Sequence, residues 1–292
     1  MKKIILIFLI SLLLAPISNG QQTNIPTVNE GEWIKSWLLC GPIPLVKPAD
    51  ESEPYTHLQG FNTDYLVKFG GEENLLVKAG DVTKFKNGSV KWKLYNSPDS
   101  IIDLDKVVST ADPVLAYAYT EVLADEDKIW FISFGTNDGG KLWVNGMNVW
   151  DFQPARGLSA DNDQIPVLLK KGKNTILFKI EERGNRWEFC ARFKTFSVDK
   201  LAENKPLFRI TTSDDGLASI ASEYMLPVLS QLIKSISIEI TNHQNQLVLK
   251  EERQSNFCGP LNIRSNNYQA YQGMLKILLK NGQTIHQNYS FY

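Results

Sequence analysis

Short apolar runs alternate with polar turn segments between residues 128 and 190. Residues 129–134 are rich in β-branched and aromatic side chains, and residues 135–140 (Gly-Thr-Asn-Asp-Gly-Gly) are of the types that form tight turns. Further along, Asn145-Gly146 predicts a two-residue hairpin turn. Because no amphipathic helix of useful length intervenes, the pattern predicts an antiparallel β-sandwich or barrel.

Strand patterns also precede this region. Val90, Trp92 and Leu94 alternate with more polar residues, which predicts a half-buried strand with these three on its inner face. Residues 32–40 predict an earlier strand. We expect the prolines at 42 and 44 to end it, because proline cannot donate a hydrogen bond to a strand ladder.

The last part of the chain shows the same all-β character. Residues 235–240 alternate cleanly, and Asn281-Gly282 is a strong hairpin signal. Pro227 favours a strand and a loop over one long helix between 217 and 232. The polar segment 199–206 predicts a domain boundary, followed by a small immunoglobulin-like or fibronectin-like sandwich over residues 205–292.

The middle of the chain resembles a known family. Residues 135–146 (Gly-Thr-Asn-Asp-Gly-Gly-Lys-Leu-Trp-Val-Asn-Gly) and 169–180 (Leu-Lys-Lys-Gly-Lys-Asn-Thr-Ile-Leu-Phe-Lys-Ile) are similar to the galactose-binding-like jelly roll. Such modules flank catalytic domains in many secreted glycoside hydrolases and related bacterial proteins. The resemblance implies a jelly-roll domain over residues 31–200. It leaves the role open, since this jelly roll serves as sugar binder, structural spacer or oligomer interface.

The N-terminus has the pattern of a secretory signal peptide. Two lysines precede an apolar stretch of about a dozen residues, and small residues occupy positions 18 and 20. We predict a signal peptide over residues 1–20, a flexible leader over 21–30, and a secreted or periplasmic protein. The alternative is a membrane anchor, although the apolar stretch is shorter than the roughly 20 residues that span a bilayer. No later stretch of the sequence is long and apolar enough to span a membrane, so no transmembrane segment is expected after cleavage.

Charge and cysteine content narrow the class of protein. The formal net charge is −1, which offers no general attraction for nucleic acid. Cys40, Cys190 and Cys258 fit no zinc or redox spacing. Cys40 and Cys190 lie in apolar strand contexts, so we expect both to be buried and unpaired.

The sequence contains no recognisable catalytic set. It has three histidines, all in polar or turn contexts, and neither a nucleophile elbow nor a metalloprotease motif. A glycosidase needs two carboxyl groups about 5 to 10 Å apart, which the sequence alone neither shows nor excludes. The candidate acids are Glu181, Glu182, Glu188, Asp138, Asp161 and Asp163.

Loop carboxylates suggest a structural calcium site. Asp138, Asp161 and Asp163 lie in segments rich in Asp and Asn, and calcium prefers such oxygen ligands. The alternative is that these residues form ordinary turns. Apart from this structural calcium, no cofactor is expected.

Carbohydrate binding is the leading functional hypothesis. A sugar ring stacks on an aromatic side chain while its hydroxyl groups bond to polar ones. Both types occur in the loops of the jelly roll, which places the predicted ligand-binding residues at Trp150, Phe152, Arg156, Arg186 and Trp187. We therefore predict a secreted non-catalytic protein that binds carbohydrate or a cell-surface partner. The alternatives are a hydrolase (a glycosidase or esterase, or an accessory part of one) and a structural assembly module.

Overall fold

The computed structural model describes residues 25–45, 60–204, 206–264 and 270–292. Its ladders are antiparallel, as the strand pattern predicted, and no helices are packed on a parallel sheet in these ranges. The predicted signal peptide lies outside the described residues. In the ranges that are described, no helix has the length and apolar character needed to cross a membrane.

The first sandwich is built from strands that end before residue 196. In chain order they are β1 (Ser36–Pro44), β2 (Val82–Phe85), β3 (Gly88–Lys91), β4 (Lys93–Asn96), β5 (Ile102–Asp103), β6 (Val114–Ala124), β7 (Lys128–Asn137), β8 (Gly140–Val144), β9 (Met147–Phe152), β10 (Asp163–Leu169), β11 (Gly172–Glu182) and β12 (Glu188–Thr195). A 3-10 turn spans Val67–Phe69 and a short helix, α1, spans Leu104–Val107. Within the described chain the layers are β4-β1-β6-β11-β8-β9 and β10-β7-β12-β5, and β2-β3 is a separate hairpin.

Aromatic rings from both layers meet between them. Trp37 of β1 packs edge-on against Phe189 of β12, with ring centroids 5.1 Å apart. Phe178 of β11 and Phe134 of β7 make the same type of contact at 5.2 Å. Edge-to-face pairs of this kind stabilise a core beyond their burial of apolar area.

The six-stranded sheet is also covered on its outer face. Tyr117 of β6, Trp143 of β8 and Leu177 of β11 pack there in a second apolar cluster with Leu66 and Leu75. Since β6 is buried on both faces, its sequence is a nearly continuous apolar run rather than an alternating one. β11 is buried to the same extent, but its buried residues include Lys179, Glu181 and Glu182.

Two strand predictions need correction. The first strand does not stop before Pro42 but continues to Pro44. Its register with β6 is irregular between Cys40 and Ile43. The missing N–H of Pro42 disrupts fewer ladder bonds at such an irregularity than it would in a regular ladder. The predicted strand around Trp92 is two strands, β3 and β4, with different partners. Trp92 is buried, but Leu94 is 43% exposed, so the three alternating residues do not share one inner face.

The second sandwich follows residue 206. Its elements are β13 (Phe208–Thr212), β14 (Leu217–Ser222), α3 (Leu226–Leu232), β15 (Ile233–Asn242), β16 (Leu247–Arg253), β17 (Gly259–Arg264), β18 (Tyr271–Leu279) and β19 (Thr284–Phe291). In the described residues one sheet is β13-β14-β17 and the other is β16-β15-β18-β19. The fourth strand of this sandwich, β16, pairs with the third, β15. In the constant-type immunoglobulin fold the fourth strand pairs with the fifth instead. The Asn281-Gly282 hairpin is confirmed. The predicted strand within 217–232 is β14, but the predicted loop is wrong, because Pro227 occupies the first turn of the short helix α3, where proline is tolerated.

The two sandwiches are in contact through α3. Gln231 of α3 accepts a hydrogen bond from the backbone N–H of Leu168 at 3.2 Å, and its amide nitrogen lies 2.7 Å from the sulfur of Met147. The predicted boundary at 199–206 largely coincides with a short helix, α2 (Val198–Asn204). The division into separate domains stays a prediction.

The described part of the predicted leader is attached to the first sandwich. The N–H of Leu123 donates to the carbonyl oxygen of Pro26 at 2.9 Å, and the N–H of Val28 donates to that of Leu123 at 2.8 Å. Gly31 donates in the same way to Phe193 at 2.8 Å. Residues 25–31 are thus bonded to both layers, to β6 through Pro26 and Val28 and to β12 through Gly31.

The three cysteines are free, and Cys40 and Cys190 are buried, as expected. Burial raises the pKa of Cys40 to about 12 and that of Cys190 to about 11. Both thiols are therefore protonated at neutral pH, which excludes them as ready nucleophiles.

Candidate functional site

A groove lies between residues 63–69 and the tip of the β2-β3 hairpin. Its volume is about 480 Å³, which falls within the roughly 300–1,000 Å³ typical of ligand sites. We call it the lysine–aromatic groove. Its lining residues are Thr63, Asp64, Tyr65, Val67, Lys68, Phe69, Lys84, Phe85 and Lys86.

Three rings give the groove its apolar surface. Tyr65, Phe69 and Phe85 are each partly buried against the apolar cluster on the outer face of the six-stranded sheet. One part of each ring is anchored in this packing, and another part lines the groove. Rings held in this way lose little conformational freedom when a ligand stacks on them.

The wall formed by residues 63–69 is fixed by Asp64. One oxygen of its carboxylate accepts the backbone N–H of Leu66 at 2.7 Å, and the other accepts that of Glu72 at 3.1 Å. These two bonds tie Asp64 to Leu66 within the segment and to Glu72 just beyond its end, and this favours a preformed groove.

A buried charged network lies beneath the same segment. Lys179 of β11 is fully buried, and its Nζ donates to the carbonyl oxygen of Thr63 at 2.8 Å and to Oε1 of Glu72 at 2.9 Å. The hydroxyl of Tyr117 donates to the same Glu72 oxygen at 2.6 Å. Burial lowers the pKa of Lys179, while the Glu72 carboxylate opposes that shift. These hydrogen bonds join the segment that forms this wall of the groove to β11, in the middle of the six-stranded sheet.

The structure brings together three of the predicted ligand-binding residues. Trp150 and Phe152 are stacked with centroids 5.8 Å apart, and the Arg156 guanidinium lies 4.5 Å from the Phe152 centroid and 5.3 Å from that of Trp150. The same guanidinium donates to the Thr136 hydroxyl at 2.8 Å and pairs with Asp163 at 2.6 Å. Since Trp150 is only 6% exposed and Thr136 and Asp163 hold the Arg156 guanidinium, little of the Trp150 ring is available to a ligand.

The other two predicted ligand-binding residues lie elsewhere. The Trp187 side chain is fully buried, so it belongs to the core and presents no face to a sugar. The prediction for Trp187 is corrected for this reason. Arg186 is exposed and pairs with Glu188 at 3.3 Å.

The three candidate calcium ligands do not converge. Asp138 is buried and accepts the backbone N–H groups of Arg156 and Arg183 at 3.1 and 2.9 Å. Asp161 accepts hydrogen bonds from Arg192, Lys194 and Ser133, which lower its pKa although burial opposes the shift. Asp163 pairs with Arg156. Each carboxylate is thus occupied by an N–H or O–H donor. Across the described ranges no three His, Cys, Asp or Glu side chains form a group able to hold a metal.

Two neighbouring glutamates at the end of β11 are buried. Glu181 pairs with Arg183, and Glu182 accepts only the backbone N–H of Gly184, at 2.6 Å. In each of them the second carboxylate oxygen is buried and has no hydrogen-bond partner within the described part of the chain. Burial raises the pKa of both carboxyls to about 7. They lie inside the protein rather than across an open cleft, so they do not form the exposed acid pair that a glycosidase needs.

Sequence reasoning did not find the lysine–aromatic groove. Its two walls are separated by about fifteen residues of turn and strand, and neither wall matches a known motif. The one available signal was composition, because residues 77–93 contain five lysines and one acidic residue.

Comparison with known proteins finds likeness in structure but not in sequence. No family model and no curated protein matches the sequence. Solved structures with some likeness include a β-glucuronidase from Ruminococcus gnavus, with 13% identity, a TM-score of 0.30, and coverage of 91% of this chain and 46% of the enzyme. A glycosyl hydrolase family 2 member from Bacteroides cellulosilyticus has 10% identity and a TM-score of 0.29, with coverage of 89% and 36%.

A β-glucosidase from Kluyveromyces marxianus has 15% identity and a TM-score of 0.33, with coverage of 43% of this chain and 17% of the enzyme. In all three cases the aligned region spans less than half of the enzyme. With TM-scores this low, the likeness carries no argument about what this chain does.

Proposed function

We propose that the chain is a secreted, non-catalytic module that binds carbohydrate, and that the lysine–aromatic groove is its binding site. The observation that supports this proposal most directly is the set of three partly exposed rings in one groove, with polar groups beside them. Sugar rings stack through their apolar C–H faces on aromatic side chains. The hydroxyl of Thr63 and the carboxylate of Asp64 supply groups that bond to sugar hydroxyls.

The groove fits this function better than the end of the sandwich that carries Phe152. In the groove the rings are supported from below and open on one side, whereas Arg156 lies against the Phe152 ring. A rigid, preformed wall also lowers the entropic cost of binding.

Affinity electrophoresis in gels that contain soluble polysaccharides tests the proposal. Phe85→Ala removes one ring, and we expect it to weaken the binding of a retarding polysaccharide about tenfold, which is the effect of roughly 1.4 kcal/mol. Phe85→Tyr keeps the ring and should bind as the parent protein does.

Phe152→Ala is the matched control for the other end of the sandwich. If Phe152→Ala abolishes retardation and Phe85→Ala does not, the binding site lies at that end and the groove is the wrong assignment. If no polysaccharide retards the parent protein, the carbohydrate proposal fails. Turnover of aryl glycosides or esters by the pure protein would favour the hydrolase alternative.

A further inference from the structure

We infer that the carbohydrate bound in the lysine–aromatic groove is a polysaccharide that carries carboxylate groups, that is, a polymer of uronate sugars. This inference rests on the proposed function and names the class of ligand.

Three lysines frame the rings of the groove. Lys68, Lys84 and Lys86 are exposed, and in the described part of the chain none of them forms an ion pair. Lys68 places its ammonium 5.4 Å from the centroid of Phe69, next to the surface on which a sugar would stack. Three unpaired cations beside an aromatic surface favour a ligand that is both anionic and able to stack.

The positive charge is local. The formal net charge of the whole chain is −1, yet residues 77–93 contain five lysines and a single acidic residue, Asp81. Two of these lysines line the groove directly, at the tip of the β2-β3 hairpin. The basic surface therefore belongs to the groove and its hairpin rather than to the chain in general.

The acidic residue in the groove limits the charge density of the ligand. Asp64 lines the groove, and each of its oxygens accepts one backbone N–H and retains capacity for another donor. That capacity suits sugar hydroxyl groups, whereas a polymer with several sulfates or phosphates per unit would be repelled by the carboxylate. A uronate supplies hydroxyl groups, an apolar ring face and one carboxylate per sugar, and it matches all three features of the groove.

Affinity electrophoresis and calorimetry with polygalacturonate test the inference. The comparison ligand is the same polymer with its carboxyl groups methyl-esterified, which keeps the sugar backbone and removes the charge. We expect polygalacturonate to bind at least about tenfold more tightly than the ester at low salt, and the difference to shrink as the salt concentration rises.

The double variant Lys84→Gln/Lys86→Gln should weaken binding of polygalacturonate about tenfold and leave the affinity for the ester nearly unchanged. The matched control is Lys234→Gln/Lys276→Gln, which removes the same charge from exposed positions of the second sandwich. This control should bind as the parent protein does.

Three other outcomes would contradict the inference, and only the last of them would also contradict the proposed function. Equal binding of the acid and the ester would overturn the inference and leave the proposed function standing. Binding of heparin or single-stranded DNA in place of polygalacturonate, with the same dependence on Lys84 and Lys86, would overturn the inference in favour of a more highly charged ligand. If no polysaccharide of any charge binds, the proposed function fails first, and the inference fails with it.

Discussion

The burial of Glu182 allows us to predict how the stability of the protein depends on pH. This side chain is 3% exposed, and among the residues that the structure describes it has no cationic partner and one carboxylate oxygen without a hydrogen bond. Burial raises its pKa from 4.5 to about 7, and the charges of Asp138, Asp105 and Asp112 act in the same direction. The folded protein therefore holds a proton on Glu182 at a pH where the unfolded chain has already lost it.

The sign and size of the effect follow from this difference. Between pH 4.5 and about pH 7 the folded state binds more protons than the unfolded state, so the free energy of unfolding falls as the pH rises. A difference of this size in pKa, at about 1.4 kcal/mol per unit, amounts to about 3 kcal/mol of lost stability above pH 7. Glu182→Gln is neutral at every pH and should remove this loss.

Urea unfolding, followed by tryptophan fluorescence at about pH 5 and about pH 8, measures the effect. We expect Glu182→Gln to be close to the parent protein at the lower pH and more stable by about 2–3 kcal/mol at the higher one. Glu126→Gln is the control, because that side chain is 72% exposed. If Glu182→Gln changes the free energy of unfolding equally at both pH values, the pKa of Glu182 is not raised in the folded protein and the reasoning is wrong.

Two further predictions concern the Asn-Gly turns of two hairpins and the buried ion pair between Lys179 and Glu72. Gly146 and Gly282 both have positive φ in Asn-Gly turns. A Cβ at Gly146 would fall on the carbonyl oxygen of Glu73, whereas no atom of the described residues lies within 4 Å of a Cβ at Gly282. Gly282→Ala should cost about 1–2 kcal/mol and Gly146→Ala about 2 kcal/mol more; equal losses in urea unfolding would contradict the packing of the loop on the hairpin. Lys179→Met should cost about 3–5 kcal/mol, because it leaves the Glu72 carboxylate without its cation. Lys179→Met/Glu72→Gln should recover most of that loss, and a purely additive double-mutant cycle would show that the two groups are not coupled.

Part of the candidate chemistry was predictable because it is local in sequence. Trp150, Phe152 and Arg156 lie within seven residues of one another, and a loop this short keeps them together in space. Whether their surfaces are free depends on Thr136 and Asp163, which approach from other strands and occupy the Arg156 guanidinium. Proximity was therefore predictable from the sequence, but availability to a ligand was not.

Trp187 is another residue whose exposure could not be predicted from the sequence. Its neighbours are polar, which favours an exposed turn, but the ring itself is fully buried. A single aromatic residue in a polar segment fits either position, and only the packing of the two layers decides between them.

The lysine–aromatic groove depends on contacts that no local pattern contains. The bond between Lys179 and Thr63 joins residues that are 116 positions apart, and it fixes one wall of the groove from beneath. The other wall is the tip of the β2-β3 hairpin, which reaches the groove through its packing on the outer face of the sheet.

From its sequence alone, this chain is an all-β protein with antiparallel strands and with hairpin turns at Asn145-Gly146 and Asn281-Gly282. Side-chain alternation and turn residues act over a few positions, and they are sufficient for these features. The tertiary structure alone decided which rings are core and which line a groove, and which carboxylates find cationic partners. Burial and pairing depend on strands that are distant in sequence, and the strength of a charge or of an aromatic surface depends on what covers it.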